Sequence, residues 1–219
     1  MDRFGAHPLG TCDTGYGRTA RHTSGARALQ HEAMDLSGVP TRREELGLLP
    51  DADDRPGDIY VTTEAGCSER GYTSAAFDFT VHGAVPDSGC SSALLLRSCS
   101  LPGAAAHDAE QRKLADFAVR EQEVALILLT DKGITWKRPF QFRPFGMDVF
   151  GAMGPETLKI IDQFSRIRAS RFNQSVASCR RKMQQAVSIA HITSCAKMLS
   201  CRRPKLSVAV DVPPSELLH

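Results

Sequence analysis

Ala75-Ala-Phe-Asp-Phe-Thr-Val81 decides the fold, because its alternation suits an extended chain and no helix. In a strand, successive side chains point to opposite faces. Phe77, Phe79 and Val81 therefore share a face that belongs in a core, while Asp78 and Thr80 share the other. Working backwards, Gly66 to Gly71 turns the chain, and Asp58-Ile-Tyr-Val-Thr-Thr63 is a second run rich in β-branched and aromatic residues. Turn chemistry fills Pro50-Asp-Ala-Asp-Asp-Arg-Pro-Gly57 ahead of it. The two strands are predicted to be neighbours in one sheet, with Asp58 opening the first.

Outside this pair the pattern predicts helices. One runs from Ala26 to about Leu36, with Ser24 as its N-cap and Gly38 and Pro40 at its end. Residues 83 to 103 read as irregular. A long helix is expected from about Ala104 to Leu128, with Leu114, Phe117, Ala118, Ala125 and Leu128 near one face. Ile134 to Phe142 reads as a strand broken at Pro139. Pro155 is placed to start a helix in which Leu158, Ile161, Phe164 and Arg168 repeat. A second helix, about Gln174 to Ser200, sets Val176, Met183, Val187 and Ala190 on one side. The fold class is α/β (α+β), a small central mixed β-sheet flanked by helices with a C-terminal helical hairpin. Its expected units are a loop or remnant Cys/His knuckle (1–23), an α/β core (24–155), a basic helical hairpin (156–201) and a flexible tail (202–219).

Composition narrows the function classes. The net charge of +2 hides an asymmetry, with acids crowded between Glu44 and Asp58 and Arg and Lys dominating from Arg166 to Lys205. A basic face suits nucleic acid, and it equally suits a solvated helix surface. Seven Cys without a CxxC pair point to reduced thiols. Met1 is followed at once by Asp2 and Arg3, so no leader is expected. The longest apolar run, Val124 to Leu129, is too short to span a bilayer. A nuclear or cytoplasmic, intracellular chain with no membrane partner is expected.

Three groups of residues could carry chemistry. Asp58 and Asp78, converging from adjacent strands, make a hard oxygen site suited to Mg²⁺. Such a metal holds a phosphate and lowers the pKa of an attacking water. Each Asp also has an ordinary reading, as a turn cap or a solvated strand residue. His7, Cys12 and His22 are Zn²⁺-type ligands, but three of them without a CxxC fit a decayed knuckle better than a closed four-ligand site. In the C-terminal part Arg180, Arg181, Lys182, Arg202 and Arg203 could contact phosphates in a salt-dependent, sequence-independent way. Cys179, Cys195 and Cys201 are read as small buried hydrophobes.

The order of short motifs carries a resemblance. Arg21-His22-Thr23, Glu45-Leu-Gly-Leu-Leu-Pro50, Arg55-Pro-Gly-Asp-Ile59, Phe77-Asp-Phe-Thr-Val81, Ala104-Ala-Ala-His-Asp-Ala-Glu-Gln-Arg-Lys113 and Phe150-Gly-Ala-Met-Gly-Pro-Glu156 follow one another across roughly residues 7 to 200. The acid opening one strand and the acid on the next resemble the PD-(D/E)XK nuclease pattern. The series is more similar still to the restriction-endonuclease-like region that follows the reverse transcriptase in non-LTR retrotransposon polyproteins. That resemblance implies a metal-dependent endonuclease acting on DNA, with RNA as the alternative nucleic-acid partner, and Asp58 and Asp78 as the metal-binding carboxylates.

Departures from the pattern are specific. Thr80 stands where a Lys is expected two places after the second acid, and Lys113 on the following helix is the replacement candidate. His107, Glu110 and Lys113 are three apart on that helix, so an exposed Glu110–Lys113 ion pair is the competing reading. Ser24 to Arg27 lack the expected Asn and Asp, and Phe79 replaces a usual Val. Segments 83–103 and 125–143 look lengthened or scrambled. No Tyr-x-Asp-Asp polymerase motif occurs. A nucleic-acid-binding module without catalysis and a non-functional retroelement fragment remain alternatives to the nuclease.

Overall fold

A computed structural model of the chain describes residues 25–43, 57–82, 92–132 and 140–201. Four strands form one sheet in the order β1 (Thr41–Arg43), β2 (Ile59–Val61), β3 (Ala75–His82) and β4 (Gln141–Asp148). The first three make an antiparallel meander, with Thr41 opposite Val61 and Ile59 opposite Phe77. β4 returns parallel to β3, with Phe79 opposite Phe145 and Asp78 opposite Pro144. A parallel return needs a long crossover. Here α1 (Ser92–Ser100) and α2 (Ala104–Lys132) supply it. The hairpin of α3 (Pro155–Phe172) and α4 (Val176–Cys201) follows, with Asn173 in the left-handed conformation at its turn.

The sheet is mixed and flanked by helices on both faces. One face carries Ile59, Val61, Phe77, Phe79, Phe145 and Met147, which pack on Ile160, Ile161 and Phe164 of α3 and on Met183 and Val187 of α4. An opening helix (25–37), widened to π geometry over Leu29–Met34, adds Leu29 and Met34 to the same core. Phe79 stacks on Phe145 at 5.3 Å between ring centroids, and Phe77 meets Phe164 edge-on at 6.0 Å. The Arg171 guanidinium donates to the Ser37 carbonyl at 3.1 Å and ties the end of the opening helix to α3. The hairpin thus shares one core with the sheet.

The opposite face meets α2 through a smaller cluster, Ala76, Phe117, Phe140 and Phe142, with Phe117 stacked on Phe142 at 4.3 Å.

The structure corrects several expectations. Residues 92–100, read as irregular, form α1. The strand expected at Ile134 to Phe142 is β4, at Gln141–Asp148, and residues 133–139 lie outside the described part. Pro144, Gly146 and Arg143 obscure it, since all three are unusual inside a strand. Pro144 is tolerated because β4 is the edge of the sheet, where a missing N–H breaks no ladder bond. On α2, Phe117 and Val124 are buried, but Leu114 and Ala118 point to solvent. Leu158, expected on the core side of α3, is exposed, and Ile160 is buried instead.

Candidate functional site

The Pro-Gly-Asp turn before β2 brings Asp58 against β3. A side chain at Gly57 would meet the Phe77 carbonyl at 2.8 Å, so the residue before Asp58 must be small. The Asp58 N–H then donates to Phe77 O at 2.8 Å, and its Oδ2 accepts the Phe79 N–H at 2.8 Å. Asp58 therefore holds the backbone on both sides of Asp78. This bond pattern also serves the turn-capping role that an Asp at this position can play.

Asp78 projects toward α2, on the face opposite its Phe neighbours, where Lys113 Nζ lies 2.6 Å from its Oδ2. The two side chains are 14% and 38% exposed, so the pair lies at the rim of the sheet–helix interface. An ion pair this open contributes at most about 1 kcal/mol.

The structure does not form the competing Glu110–Lys113 surface pair. Glu110 is fully buried and points at the first turn of α3. Its carboxylate accepts the Glu156 N–H at 3.1 Å, the Thr157 N–H at 2.9 Å and the Thr157 hydroxyl at 2.7 Å. Those N–H groups have no partner within their own helix, and a carboxylate also matches the positive end of the helix dipole. No side chain of the Gly154 cap supplies this bond, so the cap comes from another helix. Two glycines make room: a Cβ on Gly146 would stand 2.7 Å from Ala106 O, and one on Gly154 would stand 2.3 Å from Glu110 Oε1. Burial pushes the Glu110 carboxyl up, against the Thr157 and backbone hydrogen bonds that pull it down.

Further along the same interface Arg112 pairs with Asp108 and lies 3.1 Å from His82 Nε2. A guanidinium only donates. The contact is a hydrogen bond in the tautomer whose Nε2 carries no proton. The sequence reading missed this contact, although the alternation Asp78, Thr80, His82 places all three on one face. It also missed Arg143, buried on β4, which bonds Glu156 Oε1 at 2.9 and 2.8 Å, Gln163 Oε1 at 2.6 Å and Gly66 O at 2.8 Å. Arg143 lies on the hairpin side of the sheet and fastens the β2–β3 connection.

On the hairpin, Arg180, Arg181 and Lys182 are exposed. Asp162 holds both Arg166, at 2.8 Å on its own helix, and Arg180 on the next. Desolvation works against its charge, yet hydrogen bonds from Arg180 and Arg166 hold its carboxyl below the usual range. Cys179 is buried, as expected of a small hydrophobe. His7, Cys12, His22, Arg202 and Arg203 lie outside the described residues, as do the side chains of Cys195 and Cys201.

Among the described residues, no cluster of three or more His, Cys, Asp or Glu forms. A divalent cation at Asp58 and Asp78 would have two protein carboxylates, leaving its other positions to water and substrate oxygens. Mg²⁺ commonly binds in that way, with one or two carboxylates and substrate phosphates, so the donor set fits it. Among the described residues, no helix is long and apolar enough to cross a membrane. No known protein family, curated protein or solved structure matches the chain.

Proposed function

We propose that the interface between β3 and α2 is the centre of a divergent, restriction-endonuclease-like domain that hydrolyses DNA phosphodiesters with Mg²⁺. The observation that carries this reading is the meeting of Lys113 with Asp78 at 2.6 Å. The sequence pattern lacks its lysine at position 80, and a lysine from the crossover helix reaches the same acid. Asp58 and Asp78 would hold the cation, which polarises the scissile phosphate and acidifies a bound water. Lys113 would place a positive charge where the phosphate gains negative charge in the transition state. Asp58 holds the β3 backbone at Phe77 and Phe79, on both sides of Asp78.

Metal-dependent nicking of supercoiled plasmid tests this reading. Nicking should require Mg²⁺ or Mn²⁺ and disappear in an Asp58→Ala/Asp78→Ala protein that still folds. Full activity in that protein would remove the site from consideration. A second reading, a nucleic-acid-binding module without catalysis, draws on the same ion pair. Lys113 already neutralises Asp78, which weakens the pull of that acid on a cation. Salt-sensitive binding without cleavage would select it.

A further inference from the structure

From the layering of the fold we infer that the chain has two nucleic-acid contacts on opposite sides of the sheet, the second being the outer face of the α3–α4 hairpin. The inference rests on the reading that the chain acts on nucleic acid, and it adds a second segment of polyanion that need not be the one cut.

The argument begins with charge. From Pro155 to Cys201 there are eight Lys and Arg against two acids. The apolar side of the hairpin, Ile160, Ile161, Phe164, Met183 and Val187, is spent on the sheet. What remains outside carries Lys159, Arg166, Arg180, Arg181 and Lys182, all exposed, beside the exposed apolar Leu158, Phe172, Ile189 and Ile192. One of the two acids, Glu156, is turned toward buried Arg143. The other, Asp162, binds guanidinium groups from both helices and so holds Arg166 and Arg180 side by side. A planar guanidinium so fixed loses less freedom when it meets a phosphate, and it matches phosphate oxygens in pairs.

Position does the rest. Asp78 and Lys113 lie on the α2 side of the sheet, whereas the hairpin covers the other side. A helix with its side chains is roughly 10 Å across. The basic face is thus separated from the acid–lysine pair by the sheet and a full helix layer. One short duplex seated at that pair cannot also lie along the hairpin. Its exposed cations fit a phosphate backbone read without regard to sequence.

Binding of a fluorescent DNA duplex, measured by anisotropy in chelator and across a salt series, tests the inference without any need for cleavage. Arg181→Glu/Lys182→Glu changes only exposed positions. It should weaken binding roughly tenfold or more and flatten the salt dependence by about two counterions. Arg97→Glu, a charge reversal at an exposed position of α1 outside the hairpin, should bind within about twofold of the parent. An unchanged affinity in the hairpin variant would overturn the inference, as would an equal loss in the Arg97→Glu protein. Binding to anionic vesicles in place of the duplex would overturn it too. Nicking that fails while hairpin-dependent binding persists would refute the proposed nuclease and leave this surface standing.

Discussion

The two faces of the sheet differ in what they bury. Toward the hairpin, β2, β3 and β4 present aliphatic and Phe side chains that merge with three helices into one core. Toward α2 the apolar cluster is smaller, Ala76, Phe140 and Phe142 against Phe117, and the same layer holds the charged Asp78, Lys113 and Glu110. The first face holds the fold mainly by apolar burial, and its buried Arg143 has a partner at every side-chain nitrogen. The second spends much of its area on groups that need partners, which is an expensive way to pack a helix unless those groups do something.

The largest effect is expected on the packed face. Phe164→Ala or Phe79→Ala should lower stability by about 3–5 kcal/mol, read from urea unfolding midpoints. A loss below about 1 kcal/mol would mean that the hairpin is only loosely seated.

Next comes Glu110→Ala, which strands the buried Glu156 and Thr157 donors and should cost about 2–3 kcal/mol. Its pH signature is separable. Burial raises the Glu110 carboxyl, so the folded chain holds that proton more tightly than the unfolded chain. The contribution is present below the ordinary Glu range and is lost as pH rises through that range to the raised value. Glu110→Gln, which cannot titrate, should therefore gain on the parent as pH rises across that window. A constant gap between the two proteins would show that Glu110 is not strained by its charge.

Smaller in stability is Lys113→Ala, with a change within about 1 kcal/mol. Its effect on nicking should nonetheless reach roughly a hundredfold, the scale of a lost catalytic group. Equal losses in folding and cutting would make the pair structural. The smallest stability change, within about 0.5 kcal/mol, is expected for Thr80→Lys on its half-exposed strand position. Placed in the Lys113→Ala protein, it should restore part of the lost nicking, because it supplies the cation from the position where the nuclease pattern has it.

What could be read from sequence follows from the same contrast. Phe77-Asp-Phe-Thr-Val81 was legible because a half-polar strand alternates cleanly, and β2 and β3 pair as expected. The hairpin was legible at Phe164, Met183 and Val187, whose spacing is that of a helix buried on one side only. The α2 side was not. The stripe of α2 that faces the sheet runs Ala106, Glu110, Lys113, Phe117 and Val124, at steps of three, four and seven. Two of those five are charged, so hydrophobic periodicity turned the helix the wrong way and placed Leu114 inward. Glu110 could have been suspected only from its distant partners, Gly146 and Gly154, whose missing side chains make its slot. β4 was displaced because Arg143, Pro144 and Gly146 each argue against a strand, and each has a tertiary reason to be there. Lys113 is legible from the resemblance to the nuclease pattern and from helix spacing, whereas its approach to Asp78 depends on how the crossover folds.

Pro144 has a consequence for how copies of the chain behave toward one another. A sheet edge with an unbroken row of donors and acceptors invites a neighbouring chain to add a strand, which is the first step of fibril growth. The β4 edge carries a proline at its middle, and β1 at the other edge is three residues long with Arg42 exposed. Concentrated protein should therefore resist ordered self-assembly through this sheet, and the replacement of one imino acid, Pro144→Val, would restore the missing donor along β4.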